Sequence, residues 1–149
     1  MRRFFVFGAP VVAWVFVLVT LVAAQGQRQT PPTAPARGGG WVLPPEAQTD
    51  KNPLTANEAT LAAGKKLFTS KCQRCHGPAA KGDGPDGEEA HRADMDLTVA
   101  ARAARNTDGV VFYKIWNGRE TPKMPGQRDE MTKDQVWAVV TYVQTLRAK

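Results

Sequence analysis

Two cysteines are all that this 149-residue chain contains, and both stand in one five-residue cluster, Cys72-Gln73-Arg74-Cys75-His76. That pairing constrains the fold more than any other feature. A chain of this length allows one compact domain and is too short for a barrel or a doubly wound enzyme. Thiols three positions apart cannot build the cross-linked framework by which small exported domains offset thin cores. Some other group must supply stability, and the cluster is where it would attach. Composition sharpens the deficit. Apolar residues make up 42% of the chain, yet a large share of them sits in the uncharged run from Phe4 to Ala24, so the remainder is more polar than the total suggests. The net charge of +6 falls to +4 beyond Ala24, with 18 basic and 14 acidic residues interspersed, a pattern that does not point to nucleic acid.

The cluster has the Cys-x-x-Cys-His spacing of covalent haem attachment. Thiols three residues apart on one helical turn both reach the vinyl groups of a single porphyrin, and the histidine that follows is held beneath the iron as a proximal ligand. Two other chemistries use the same residue types. A redox dithiol wants a preceding strand, and a zinc site wants two further ligands. Only His91 is available for the latter, at no common finger spacing. One haem c, bound through Cys72 and Cys75 with His76 on its iron, is the expected cofactor.

A second axial ligand must come from further along the chain. Met124 lies in Lys123-Met124-Pro125-Gly126, a turn-forming stretch 48 residues after His76, so its thioether is placed to reach the opposite haem face. Met131, Met95 and His91 are the rivals. Met131 precedes Thr132 and stands ahead of Val136, where a hydrophobic staple belongs, which gives it a structural role. Met95 lies between Asp94 and Asp96 in a polar loop and is the weaker candidate. A lone loop histidine such as His91 is more simply a solvated side chain.

The rest of the chain divides into three parts. Met1 to Ala24 carries Arg2 and Arg3, then the apolar run, then small residues before Gln25, and reads as an export signal or a retained membrane anchor. A cleaved signal has an apolar core of about 7–15 residues and a span needs about 20, so the length favours the anchor. The arginines would keep the leading end cytoplasmic and place the remainder on the periplasmic side of the inner membrane. Gln25 to Pro53 holds six prolines and three consecutive glycines and is expected to be a disordered or extended linker, with Trp41, Val42 and Leu43 packing on the domain surface. From Leu54 to Lys149 the pattern is helical. Thr55 with Glu58 makes a capping-box signature, and Leu61, Gly64 and Phe68 share one face of the helix that runs into Cys72. Leu97 to Arg105 is a short alanine-rich helix candidate. Val111, Phe112, Ile115 and Trp116 form a stripe that stops at Gly118. Thr132 and Gln135 make a second capping box, opening a helix with Val136, Val139, Val140, Val143 and Leu146 on one face and Trp137 and Tyr142 beside them. No strand is evident. The expected fold is all-α, about four helices around one haem, with a long irregular stretch from Gly77 to Asp94.

In order and spacing, Leu54 to Lys149 resembles a class I c-type cytochrome. The shared features are a helix ending in Cys-x-x-Cys-His-Gly, a glycine-rich loop, a helix ending Trp116-Asn117-Gly118, a Met-Pro turn and a C-terminal helix bearing aromatics. The resemblance implies that Gly64 and Phe68 face the C-terminal helix near Trp137 and Val140. It also implies that the carbonyl of Pro85 accepts the His76 Nδ1 hydrogen and orients the ring. The N-terminal anchor and linker depart from the simplest members of the family.

The function that follows is electron transfer. Histidine and methionine on opposite faces leave no open iron site, so the expected protein is a carrier rather than an enzyme, monomeric or a complex subunit, with redox proteins as partners. Arg74, Lys81, Lys123 and Arg128 flank the haem motifs, either as steering charges for acidic partners or as ordinary solvated side chains. The alternatives are a cytochrome subunit of a larger dehydrogenase or reductase complex, and a five-coordinate haem sensor or peroxidase in which Met124 does not bind.

Overall fold

Three stretches of apolar periodicity become three long helices among the described residues. A computed structural model describes residues 40–147. The membrane or signal segment expected at 1–24 and the linker as far as residue 39 lie outside the described residues. Within them the helices are α1 (Glu46–Thr49), α2 (Glu58–Lys71), α3 (Gln73–His76), α4 (Arg92–Met95), α5 (Asp108–Asn117) and α6 (Lys133–Leu146), with 3-10 turns at Glu89–His91 and Ala100–Arg105. No strand occurs among the described residues; isolated bridges pair Lys81 with Asp96 and Arg119 with Met124. None of these helices is long and apolar enough to cross a membrane. The all-α expectation holds, with single-turn helices added to the long ones.

Helix α2 starts two residues later than the Thr55 signature implies. Asn57 is its N-cap, accepting from the Thr60 amide at 2.9 Å. Asparagine is among the strongest N-caps, and with Asn57 in that position Glu58 becomes the first helical residue, where its charge complements the helix dipole. The second signature holds: Thr132 and Gln135 form a reciprocal capping box at the start of α6. Met131 (5% exposed) and Val136 (0%) are buried in the same cluster, the staple expected of them.

The core is formed chiefly where α2 and α6 cross. Phe68 is buried against this crossing with its ring 5.4 Å from that of Tyr142. The crossing depends on Gly64, because a Cβ there would meet the Ala138 carbonyl oxygen at 2.1 Å and the Tyr142 Cβ at 3.0 Å. Backbone cannot yield as a flexible side chain can. Gly64→Ala is therefore expected to destabilise the folded protein by about 2–3 kcal/mol, read from guanidinium unfolding, through forced separation of the helices. A change within 0.5 kcal/mol of zero would mean that the helices do not approach as closely as described. Helix α5 joins the same core through Val111 and Ile115, and Phe112 stacks on Trp137 with ring centroids 4.1 Å apart.

Residues 41–53 do not behave as the linker that their composition suggests. Leu43 and Ala47 are buried against Val110 of α5 in a second small cluster. The Asn52 amide donates to the Trp137 carbonyl at 3.2 Å and to Thr141 Oγ1 at 2.8 Å. Proline content predicts an extended chain, but it does not prevent that chain from lying on a helix and turning through α1. The expected packing of Trp41 and Leu43 holds, and Val42 alone points outward, 74% exposed.

Candidate functional site

The cysteine cluster occupies the hinge between α2 and α3. The Cys72 amide donates to the Phe68 carbonyl at the end of α2, and its own carbonyl accepts from the Cys75 and His76 amides. Cys72, Cys75 and His76 therefore lie on one helical turn, as their spacing requires. The loop after it folds back on this turn. The Gly82 amide donates to the His76 carbonyl and the Asp86 amide to the Arg74 carbonyl, both at 2.8 Å. Arg74 also makes a bidentate pair with Asp86, at 2.6 and 3.0 Å. That pairing removes Arg74 from the set of unengaged cations near the cluster, whereas Lys81, Lys123 and Arg128 remain exposed.

His76 Nδ1 lies 2.8 Å from the main-chain oxygen of Met95. A carbonyl can only accept, so Nδ1 carries the proton and Nε2 keeps its lone pair for a metal. Burial lowers the His76 pKa, and the bond to Met95 opposes that shift in part, so the ring is held neutral. This corrects the role expected of Pro85. The segment Gly84 to Asp86 runs along the Arg74 edge of the turn, and Pro85 is exposed there. Met95 closes α4, where terminal carbonyls have no partner inside the helix, and its oxygen is the one that reaches the ring. The same contact places the Met95 backbone on the Nδ1 side of His76, away from the nitrogen that would bind iron, and the end of its side chain lies beside Gly87. His91 lies in the 3-10 turn, 3.7 Å from Glu88 and partly exposed.

Met124 reaches the same core as Cys72. Both are partly buried and pack on the central cluster, as do Leu97, Phe112 and Trp116. The Met124 turn is closed by paired backbone bonds, each 2.8 Å, between Arg119 and Met124. Gly118 makes the turn possible: its φ is +65°, and a Cβ there would lie 2.3 Å from the Met124 carbonyl oxygen.

Burial, followed by the proximity of Cys75, pushes the Cys72 thiol up to about 12. Redox dithiols need the opposite shift, toward a stable thiolate. No group of three or more His, Cys, Asp and Glu side chains suited to a metal ion occurs among the described residues. A haem fits what is present: two thiols on one turn, a neutral histidine oriented through Nδ1, and apolar side chains from several elements left only partly covered.

Elsewhere on α5, Lys114 donates from Nζ to Asn106 Oδ1 at 2.8 Å. Burial, and then Arg147, Arg119, Arg105 and Arg102, push its pKa down to about 8. Below that value the folded and unfolded chains both hold the proton, and the folded chain bears the full cost of the buried charge. Between about 8 and the ordinary 10.5 the folded chain releases its proton first, so stability rises with pH across that window. In Lys114→Met this rise is expected to vanish. Thermal melts of both proteins from pH 7 to 10.5 would show it, and parallel curves would place the lysine in solvent.

An all-α domain with this cluster defines the class of proteins that hold haem c covalently. The cytochrome c family model matches residues 61–147. The chain belongs to the cytochrome c family, and its haem c is attached through Cys72 and Cys75. Among solved structures, a chain of the reducing HAO-like protein complex of Kuenenia stuttgartiensis is similar, with 29% identity and a TM-score of 0.52 over 63% of this chain. This chain spans 46% of that one, less than half its length. No curated protein matches the sequence.

Proposed function

We propose that the protein is a mono-haem electron carrier of the class I type, with His76 and Met124 as axial ligands, working on the periplasmic side of the inner membrane. The observation that carries this reading is the His76 Nδ1 bond to the Met95 carbonyl at 2.8 Å, which presents Nε2 to a metal in one orientation. Bound beside it, haem supplies a one-electron couple between ferric and ferrous iron. Met124 comes to the same core on a turn closed by two backbone bonds, so both ligands are held by the fold before an electron arrives. Leu97, Phe112 and Trp116 keep the surroundings apolar. With His76 and Met124 both on the iron, no coordination position would remain for a substrate, and the protein would act as a carrier. The location rests on Arg2, Arg3 and the uncharged run Phe4 to Ala24, long enough for an anchor.

The test is the visible spectrum of the matured protein, ferric and ferrous, with and without carbon monoxide. Low-spin spectra that carbon monoxide leaves unchanged are expected. A high-spin ferrous spectrum with rapid carbon monoxide uptake would mean an open iron and would favour a sensor or peroxidase.

A second reading, a cytochrome subunit of a larger oxidoreductase complex, is supported by the similarity to a chain of the Kuenenia stuttgartiensis complex. Purification from native membranes separates the two. Fixed stoichiometry with other chains supports the subunit, and elution alone supports the free carrier.

A further inference from the structure

We infer that Trp41 is a positioning residue for the Met124 turn, acting through Arg119. The inference rests on the ligation by Met124 proposed above. Trp41 lies N-terminal to the segment that matches the cytochrome c family, 61–147. Its ring is 4.6 Å from Arg119 Cζ and 5.4 Å from Lys114 Nζ, both within cation–π range. Lys114 belongs to α5, and Arg119 begins the Met124 turn, so one ring joins the turn to the helix beside it.

Arg119 is the member of the turn through which such a contact can act. Its backbone pairs twice with Met124, and its Nε donates to the Pro122 carbonyl at 2.9 Å. No residue from 119 to 124 is buried. Within the turn the side chain that packs on the central cluster is that of Met124 itself, so its seating depends on the backbone bonds and on what holds Arg119. Trp41 in turn is fixed from behind. Leu43 and Ala47 are 6% and 1% exposed against Val110. A Cβ on Gly109 would lie 2.6 Å from the Ala47 carbonyl oxygen, so the segment lies flush on α5.

A ligand from solution can replace Met124 only when the turn moves away. Imidazole binding to the ferric holoprotein therefore reports how firmly the turn is held, and the methionine-to-iron charge-transfer band reports how completely it is seated. In Trp41→Ala, imidazole is expected to bind about tenfold faster and the band to weaken, in line with the strength of a partly desolvated cation–π contact. Trp41→Phe, which keeps a ring under the guanidinium, should stay within about threefold of the wild-type rate. Arg119→Gln leaves the segment in place and should reproduce the acceleration, and the double variant should be no faster than the faster single one. Val42→Ala, on the exposed neighbour, should change nothing.

Wild-type kinetics and band in Trp41→Ala would overturn the inference while leaving Met124 as ligand. Equal acceleration by Val42→Ala, or multiplied effects in the double variant, would also overturn it, because the ring would then not act through Arg119. A band that survives in Met124→Ala would instead remove the ligation itself, and the inference with it.

Discussion

The variant Cys72→Ala, Cys75→Ala is expected to carry no covalent haem and to lose more than about half of the helical circular dichroism of the mature protein, since a domain of this size has little apolar surface to spare. The buried core is narrow. Its main cluster consists of Phe68, Ala80, α6 residues between Val136 and Val143 and a few partners from α5 and the Met131 turn. Around it Leu97, Phe112, Trp116, Met124 and Cys72 are only partly covered. A flat apolar group attached at the thiols would supply contacts to those side chains, and removing the thiols would remove them together. Haem staining of a denaturing gel and a far-ultraviolet spectrum provide the measurement. Full helicity without haem would show that the protein-only core suffices.

Met124→Ala should leave the haem attached and the helices intact while changing the iron. Alanine cannot coordinate. The charge-transfer band should vanish, carbon monoxide should bind the ferrous protein, and the potential should fall by on the order of 0.1 V, a fraction of the roughly 0.8 V that axial ligands command. The expectation draws on placement: Met124 packs on the core that Cys72 borders, Met131 is buried as a staple, and Met95 has its backbone on the Nδ1 side of His76. Retention of the band and of the wild-type potential would mean that another methionine, Met131 or Met95, binds the iron, whereas loss of the band with no carbon monoxide uptake would direct attention to His91.

Spectra of these two variants separate the roles of the attachment cluster and the distal turn. The first tests what the cofactor does for the fold, and the second tests what the fold does for the cofactor. Gly64→Ala addresses neither, because its effect is confined to the crossing of α2 and α6.

Much of this is legible in the order of the amino acids. The spacing of Cys72, Cys75 and His76 points to the cofactor, because thiols three residues apart share a helical turn and the histidine that follows can ligate iron. The capping box at Thr132 and Gln135, the staple at Met131 and the buried faces of α2, α5 and α6 follow from contacts three or four residues apart, and those are local physics. Spacing places Gly64 on the same face as Phe68, and its close approach to the C-terminal helix is what the family resemblance implies and the crossing shows. Where two local signals compete the outcome is less secure: Thr55 with Glu58 matches a capping box, yet Asn57 caps the helix.

The carbonyl that holds His76 is decided only by tertiary structure. Every residue carries a main-chain oxygen, so no side chain marks the one that will meet Nδ1. Pro85 and Met95 are equivalent in that respect, and the fold of residues 77–95 selects Met95 by ending α4 against the ring. The same holds for residues 41–53. Prolines announce an extended backbone, whereas the burial of Leu43 and Ala47 and the reach of Asn52 to α6 depend on partners 60 or more residues away. Local spacing thus determined the chemistry of this chain, and long-range packing decided which backbone atoms and which distant segment hold that chemistry in place.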